Sequence, residues 1–246
     1  MKKIVAIGGG EIKNLETIKI DKEIVKSTMK QTPKALFIPT ASGEPKEYIE
    51  AFSKVYGEKL GCKVDVLKLI DENIKESEIE YKIMDSDIIY VGGGDTKTML
   101  EIWKEKKVDK ALKKAWEKGT ILSGLSAGSI CWFESGHSDS MSFLDGREEW
   151  NYIKLNALGF IKAMHCPHYN EDNREEDFAK KIMKYDVIGI AIENNCAIEF
   201  KDNQYRVLTS EEGAKAYKVF KKDNSIMKEE IKKISTYRPL EELLTK

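Results

Sequence analysis

Short apolar runs alternate with longer amphipathic stretches from the first residues onward, and that alternation restricts the chain to few architectures. Segments 3–7 (KIVAI), 35–39 (ALFIP), 64–69 (VDVLKL), 88–91 (IIYV) and 120–122 (TIL) read as buried strands. Segments 18–30, 45–60, 96–105 and 107–118 between them read as helices. In 96–105, Met99, Leu100 and Trp103 recur at helical spacing behind a capping residue at Asp95 or Thr96. Strand–helix alternation of this kind implies a mostly parallel sheet with helices on both faces. The second half predicts strands at 160–164 and 187–192, a helix near 174–185, and a hairpin from CAIEF to QYRVLTS with Asp202-Asn203 at its tip. The stretch KAYKVFKKDNSIMKEEI predicts a peripheral strand followed by a surface helix. With no repeat and no Pro-rich hinge, residues 1–246 are expected to form one three-layer α/β domain around a central sheet.

Charge narrows the partners. Lys and Arg total 41 against 42 Asp and Glu, a net charge of −1, which argues against a surface built to neutralise nucleic-acid phosphates. No apolar run approaches a membrane span. The run Ile4 to Ile7 is too short for the apolar region of a signal peptide, so the expected location is the cytoplasm. Cys62, Cys131, Cys166 and Cys196 are widely spaced and read as reduced core thiols. Neither metal-ligand spacing nor a cofactor motif is evident. Gly8-Gly9-Gly10 lacks the third glycine of a dinucleotide fingerprint, Lys13 standing in its place, and reads as a turn bordering a cleft.

In open α/β sheets ligands bind outside the carboxyl ends of the strands, so the endings there carry weight. The most informative is GLSAGS, residues 124–129. A serine flanked by glycines two residues before and after it, between an apolar run and a helix, fits a nucleophile elbow. That makes Ser126 a candidate nucleophile. Gly92-Gly93-Gly94-Asp95-Thr96 lacks the lysine ending of a phosphate loop. Its backbone amides are instead placed to stabilise charge on an oxygen, with the amide of Ala127 as a second donor.

A serine nucleophile needs a base, and the chain has three histidines. His137 lies in the polar stretch ESGHSDS and is expected in a solvated loop. His165 belongs to a strand and reads as a core residue. His168 follows Pro167 at the strand exit and is the candidate base. Glu193, at the end of IGIAIENN, is the candidate orienting acid, with Asp139 as its rival.

Taken in order, FIPTAS, DIIYVGGGDTKTML, GLSAGS, CPHYNED, NREE and VIGIAIENN resemble the peptidase E and cyanophycinase family of serine peptidases, over roughly residues 1–210. That resemblance implies a fold like class I glutamine amidotransferase domains, with Ser126 as nucleophile and His168 as base. It also implies Gly94 and Ala127 amides as the oxyanion hole, and Arg174 as the residue that holds the acidic side chain of an N-terminal aspartate. The third triad position falls on Glu193, Asn194 or Asp139, according to branch and register. The implied activity is cytoplasmic hydrolysis of small peptides after an acidic N-terminal residue, by a monomer or homodimer, without metal or cofactor. A β-aspartyl peptidase of the cyanophycinase type and a binding protein that has lost its chemistry are the alternatives. Glutamine amide transfer is disfavoured because the elbow carries serine, not cysteine. An α/β-hydrolase esterase is disfavoured because no histidine follows His168.

Overall fold

The computed structural model describes residues 1–70, 73–140 and 152–246. Five strands run parallel at its centre: β1 (Lys3–Ile7), β2 (Lys34–Ile38), β3 (Lys63–Val66), β4 (Ile88–Val91) and β5 (Ile121–Leu125), in the spatial order β1-β5-β4-β2-β3. β1, β4 and β5 are buried along their whole length, which is why they read as apolar runs with little alternation, broken in β5 by Ser123-Gly124. Helices Ile18–Lys26, Thr96–Glu105 and Val108–Lys118 cover the faces of this sheet through their apolar stripes. Asp95 caps the second of these, accepting from the backbone amides of Lys97 and Thr98.

The sheet is extended antiparallel on the β1 side by β10 (Cys196–Lys201), β11 (Gln204–Thr209) and the short β14 (Arg238–Pro239). The parallel character expected from the first half therefore holds at the centre and ends at β1.

A second sheet departs from the expected single central one. After the elbow, β6 (Phe133–Ser138) starts a new sheet with β7 (Ile153–Asn156), β8 (Ile161–Cys166), β9 (Gly189–Ile192), β12 (Ala216–Lys222) and β13 (Ser225–Glu230), in the order β13-β12-β9-β8-β6-β7. β8 pairs parallel with both β6 and β9, and the outer pairings are antiparallel. The predicted surface helix near residue 225 is instead a hairpin of β12 (Ala216–Lys222) and β13 (Ser225–Glu230). Asp223 and Asn224 both adopt positive φ at its tip, the backbone of a two-residue hairpin turn. Among the described residues no helix is long and apolar enough to cross a membrane.

Candidate active site

The carboxyl ends of strands from both sheets meet, and the exit of β1 ties them together. Three successive carbonyls there each accept one backbone amide. Ile7 accepts from Ser126 at 3.1 Å, Gly8 from His168 at 3.1 Å, and Gly9 from Asn195 at 3.0 Å. The ends of β5, β8 and β9 are thus fixed against one short stretch of chain. Space there is tight: a Cβ on Gly9 would lie 1.9 Å from Asn194 Oδ1 and 2.5 Å from His168 Nδ1. The triple glycine expected as a bordering turn is the scaffold on which the other loops are assembled.

Close approach also explains the elbow. A Cβ on Gly124 would stand 2.1 Å from the carbonyl oxygen of Gly128, and one on Gly128 would stand 2.1 Å from that of Val91. The turn packs its own backbone against itself and against β4, leaving no room for side chains two residues either side of the serine. Ser126 itself sits at φ 57°, ψ −115°, a strained conformation for a non-glycine residue, and opens the short helix Ala127–Ile130. Ala127 is the first residue of that helix, so its N–H has no intrahelical acceptor.

Ser126 Oγ lies 2.8 Å from His168 Nε2. On the other side of the ring, Nδ1 is 2.7 Å from Asn194 Oδ1 and 3.0 Å from Glu171 Oε1. Asn194 Nδ2 donates to the same Glu171 carboxylate at 3.3 Å. Turning the amide over would set a donor against Nδ1 and an acceptor against the carboxylate, so this network fixes its orientation. With two acceptors facing Nδ1, the proton of the neutral imidazole resides there. The lone pair of Nε2 then faces the Ser126 hydroxyl, which is the arrangement a general base requires.

The remaining candidates fall elsewhere. Glu193 is turned towards the β12 side, where it accepts from the Lys215 amide at 2.8 Å and the Tyr217 hydroxyl at 3.3 Å. It does not contact His168; β9 ends at Ile192, and in the turn that follows Asn194 takes the inner place. Asp139 is also away from the histidine. It accepts from Arg174 Nη2 at 2.8 Å, and the Arg174 guanidinium lies 4.7 Å over the Tyr152 ring. The Arg174 side chain is 4% exposed, its Nε is 3.9 Å from Glu171 Oε2, and it is not among the residues lining the cleft.

His137, expected in a solvated loop, is fully buried in β6 because that segment is covered on both edges by β7 and β8. Its Nε2 meets Asp177 Oδ1 at 2.8 Å, and its Nδ1 lies 3.5 Å from Cys166 Sγ. Burial pushes its pKa down to about 4, while burial pushes the Cys166 thiol far up, so the cluster is uncharged at its centre. His165 is buried as expected, between the Ile190 carbonyl and Ser129, with its pKa pushed down to about 3 by burial.

Ser126 and His168 open onto a cleft of about 480 Å³. Gly94 and Tyr48 line it, and the Tyr48 hydroxyl accepts weakly from the Gly93 amide at 3.4 Å. Three carboxylates, Glu11, Glu16 and Glu171, also line the cleft, and no lysine or arginine is among its described lining residues. Glu171 escaped the sequence reading, although the His-x-x-Glu spacing of a tight turn (the Glu171 amide donates to the His168 carbonyl at 2.9 Å) was there to be found.

An elbow serine held at hydrogen-bonding distance from an oriented histidine is the pairing serine hydrolases use, and the chain is similar to known peptidases. Residues 4–208 match the model of peptidase family S51, and the chain belongs to that family of serine peptidases. It is 35% identical over 230 residues to the uncharacterized peptidase YgaJ of Bacillus subtilis strain 168, covering 92% of this chain and 95% of the relative. Among solved structures it resembles a peptidase from an acI-B1 Actinobacterium, with a TM-score of 0.71, 19% identity and 97% of each chain covered. A Listeria monocytogenes EGD-e structure, named provisionally as a peptidase E protein, has a TM-score of 0.64 at 24% identity, covering 85% of this chain and 98% of the other. At these identities the structures speak for the fold alone.

Proposed function

We propose that the cleft hydrolyses small peptides through an acyl-enzyme formed on Ser126. Ser126 Oγ attacks the scissile carbonyl carbon as His168 Nε2 takes its proton. The oxyanion that forms is met by the backbone amides of Gly94 and Ala127, each such donor contributing roughly 3–4 kcal/mol in comparable sites. His168 returns the proton to the leaving amine. A water, deprotonated by the same nitrogen, then releases the acyl group. The observation that carries this reading is the 2.8 Å contact between Ser126 Oγ and His168 Nε2, on a serine held in a strained elbow, with the opposite ring nitrogen already engaged.

The finer reading, cleavage after an N-terminal aspartate, rests on the family resemblance and on Arg174. Its geometric demand is specific: a substrate carboxylate would have to take the place of Asp139 on a guanidinium that is now buried and matched. The cleft's own carboxylates suit a positively charged group, such as a free peptide α-amine. Hydrolysis of Asp-X, Glu-X, β-Asp-Arg, Lys-X and neutral dipeptides by wild type and Ser126→Ala separates these readings. Turnover of any member by wild type and of none by the variant is expected. Equal turnover by the variant would remove Ser126 from the mechanism, and preference for β-Asp-Arg would favour the cyanophycinase branch.

A further inference from the structure

We propose that Glu171 is a positioning residue for His168, so that the third member of the triad is divided between two side chains. Asn194 fixes the ring and Glu171 supplies the charge. The inference rests on the Ser126–His168 reading above and concerns what stands behind the histidine.

A neutral amide facing Nδ1 can select the tautomer and hold the ring, but it adds no net charge to offset the imidazolium that forms as Ser126 gives up its proton. A carboxylate in the same place does both. Here Asn194 Oδ1 sits at 2.7 Å and Glu171 Oε1 at 3.0 Å from the same nitrogen, and the amide of one donates to the carboxylate of the other. Neither Glu193 nor Asp139 contacts His168. The contact with His168 holds the Glu171 carboxyl down at about 2, so it is ionised across the working range. Arg174 steadies it from the following helix, with Nε 3.9 Å from Oε2.

Among the described residues, the other groups facing His168 leave Glu171 as its nearest charge. Ser126 meets it from the end of β5, and Asn194 from the turn after β9. Glu11 and Glu16 line the same cleft from the segment after β1. Tyr48 is held neutral, burial pushing its hydroxyl up to about 12. Buried His165, three residues earlier and within β8, is held uncharged by burial.

The test uses a fluorophosphonate probe, which needs no knowledge of the natural substrate. Ser126 Oγ forms a bond to phosphorus, fluoride leaves, and the serine proton passes to His168. The labelling rate is followed from pH 4 to 9 in wild type, Glu171→Gln, Glu171→Asp, Asn194→Ala and the double variant of Glu171→Gln with Asn194→Ala. Glu171→Gln keeps the shape and loses the charge. Its plateau rate should fall about tenfold, because the imidazolium that forms as Ser126 gives up its proton then lacks a facing charge, and Glu171→Asp, which keeps the charge, should recover much of that loss. Asn194→Ala, which keeps the Glu171 charge, should lower the plateau as well. The double variant should be slower than either single variant, since the ring then loses both the facing charge and the amide that orients it. A wild-type profile in Glu171→Gln, or a double variant no slower than Asn194→Ala, would show that Glu171 merely holds Arg174 and would overturn the proposal. Absence of labelling in wild type, or equal labelling of Ser126→Ala, would instead sink the underlying Ser126–His168 reading.

Discussion

Asp139 offers a way to separate holding a fold together from doing its chemistry. Its carboxylate is the close partner of Arg174, whose side chain is 4% exposed, against 20% for Asp139 itself. Asp139→Ala leaves a buried guanidinium stacked on Tyr152 with, among the described residues, the half-exposed Glu171 carboxylate 3.9 Å away. Breaking a fully buried pair from one side costs about 3–5 kcal/mol. Partial exposure of Asp139 and the remaining Glu171 reduce this to about 2–3 kcal/mol. For a chain of this size, that corresponds to roughly 5–10 °C in melting temperature. Asp139→Asn keeps an acceptor for Nη2 and should cost about half as much. In both variants the fluorophosphonate labelling rate below the transition should stay within about threefold of wild type, because Asp139 does not touch His168. Differential scanning fluorimetry and labelling kinetics on the same preparations read both quantities. An unchanged melting temperature with labelling reduced by about 10³ or more, the signature of losing a triad acid, would refute this account of Asp139.

Glu193→Gln should leave labelling within about threefold of wild type, since the carboxylate accepts from Lys215 and Tyr217 and not from His168; a loss of about 10³ would restore it as the orienting acid. Gly9→Ala should slow labelling more than tenfold, with a melting temperature within a few degrees of wild type, because the new methyl group meets Asn194 Oδ1 and His168 Nδ1; normal labelling would contradict the packing at the β1 exit. Asp21 accepts from the hydroxyls of Thr17 and Tyr56, and burial raises its carboxyl from 3.8 to about 7. Its folded pKa lies above the unfolded one, so the stability it contributes is full below about pH 4, falls as pH rises through 7, and is level above. About three pH units bound that loss at about 4 kcal/mol. Asp21→Asn should therefore gain stability relative to wild type between pH 5 and pH 8, as read by urea denaturation; a constant difference across that range would show that the carboxyl is not buried in its protonated form.

What the sequence disclosed depended on how local the cause was. The elbow was legible because its glycines answer to backbone contacts within five residues and with one neighbouring strand. The helix Thr96–Glu105 was legible because its cap and its apolar stripe lie in the same few residues. The β12–β13 hairpin was misread because β13 is a mostly exposed edge strand without apolar alternation; the signal lay in Asp223-Asn224, which the turn bends through positive φ. His137 looked solvated because FESGHS is polar, yet its burial comes from β7 and β8, which the chain supplies about 20 residues later. The choice among Glu193, Asn194 and Asp139 turned on side-chain direction at a strand exit, where a single residue of register decides which group faces the histidine. Arg174 shows the same limit: its place in the sequence said nothing of Asp139 lying against it.

The most direct measurement is to treat the wild-type protein with a fluorophosphonate and map the adduct by peptide mass spectrometry, with Ser126→Ala and His168→Ala alongside. One adduct per chain on the peptide that contains Ser126, absent in Ser126→Ala and strongly slowed in His168→Ala, is the expected result. An adduct on another serine, or labelling indifferent to His168, would contradict the claim that Ser126 is an activated nucleophile.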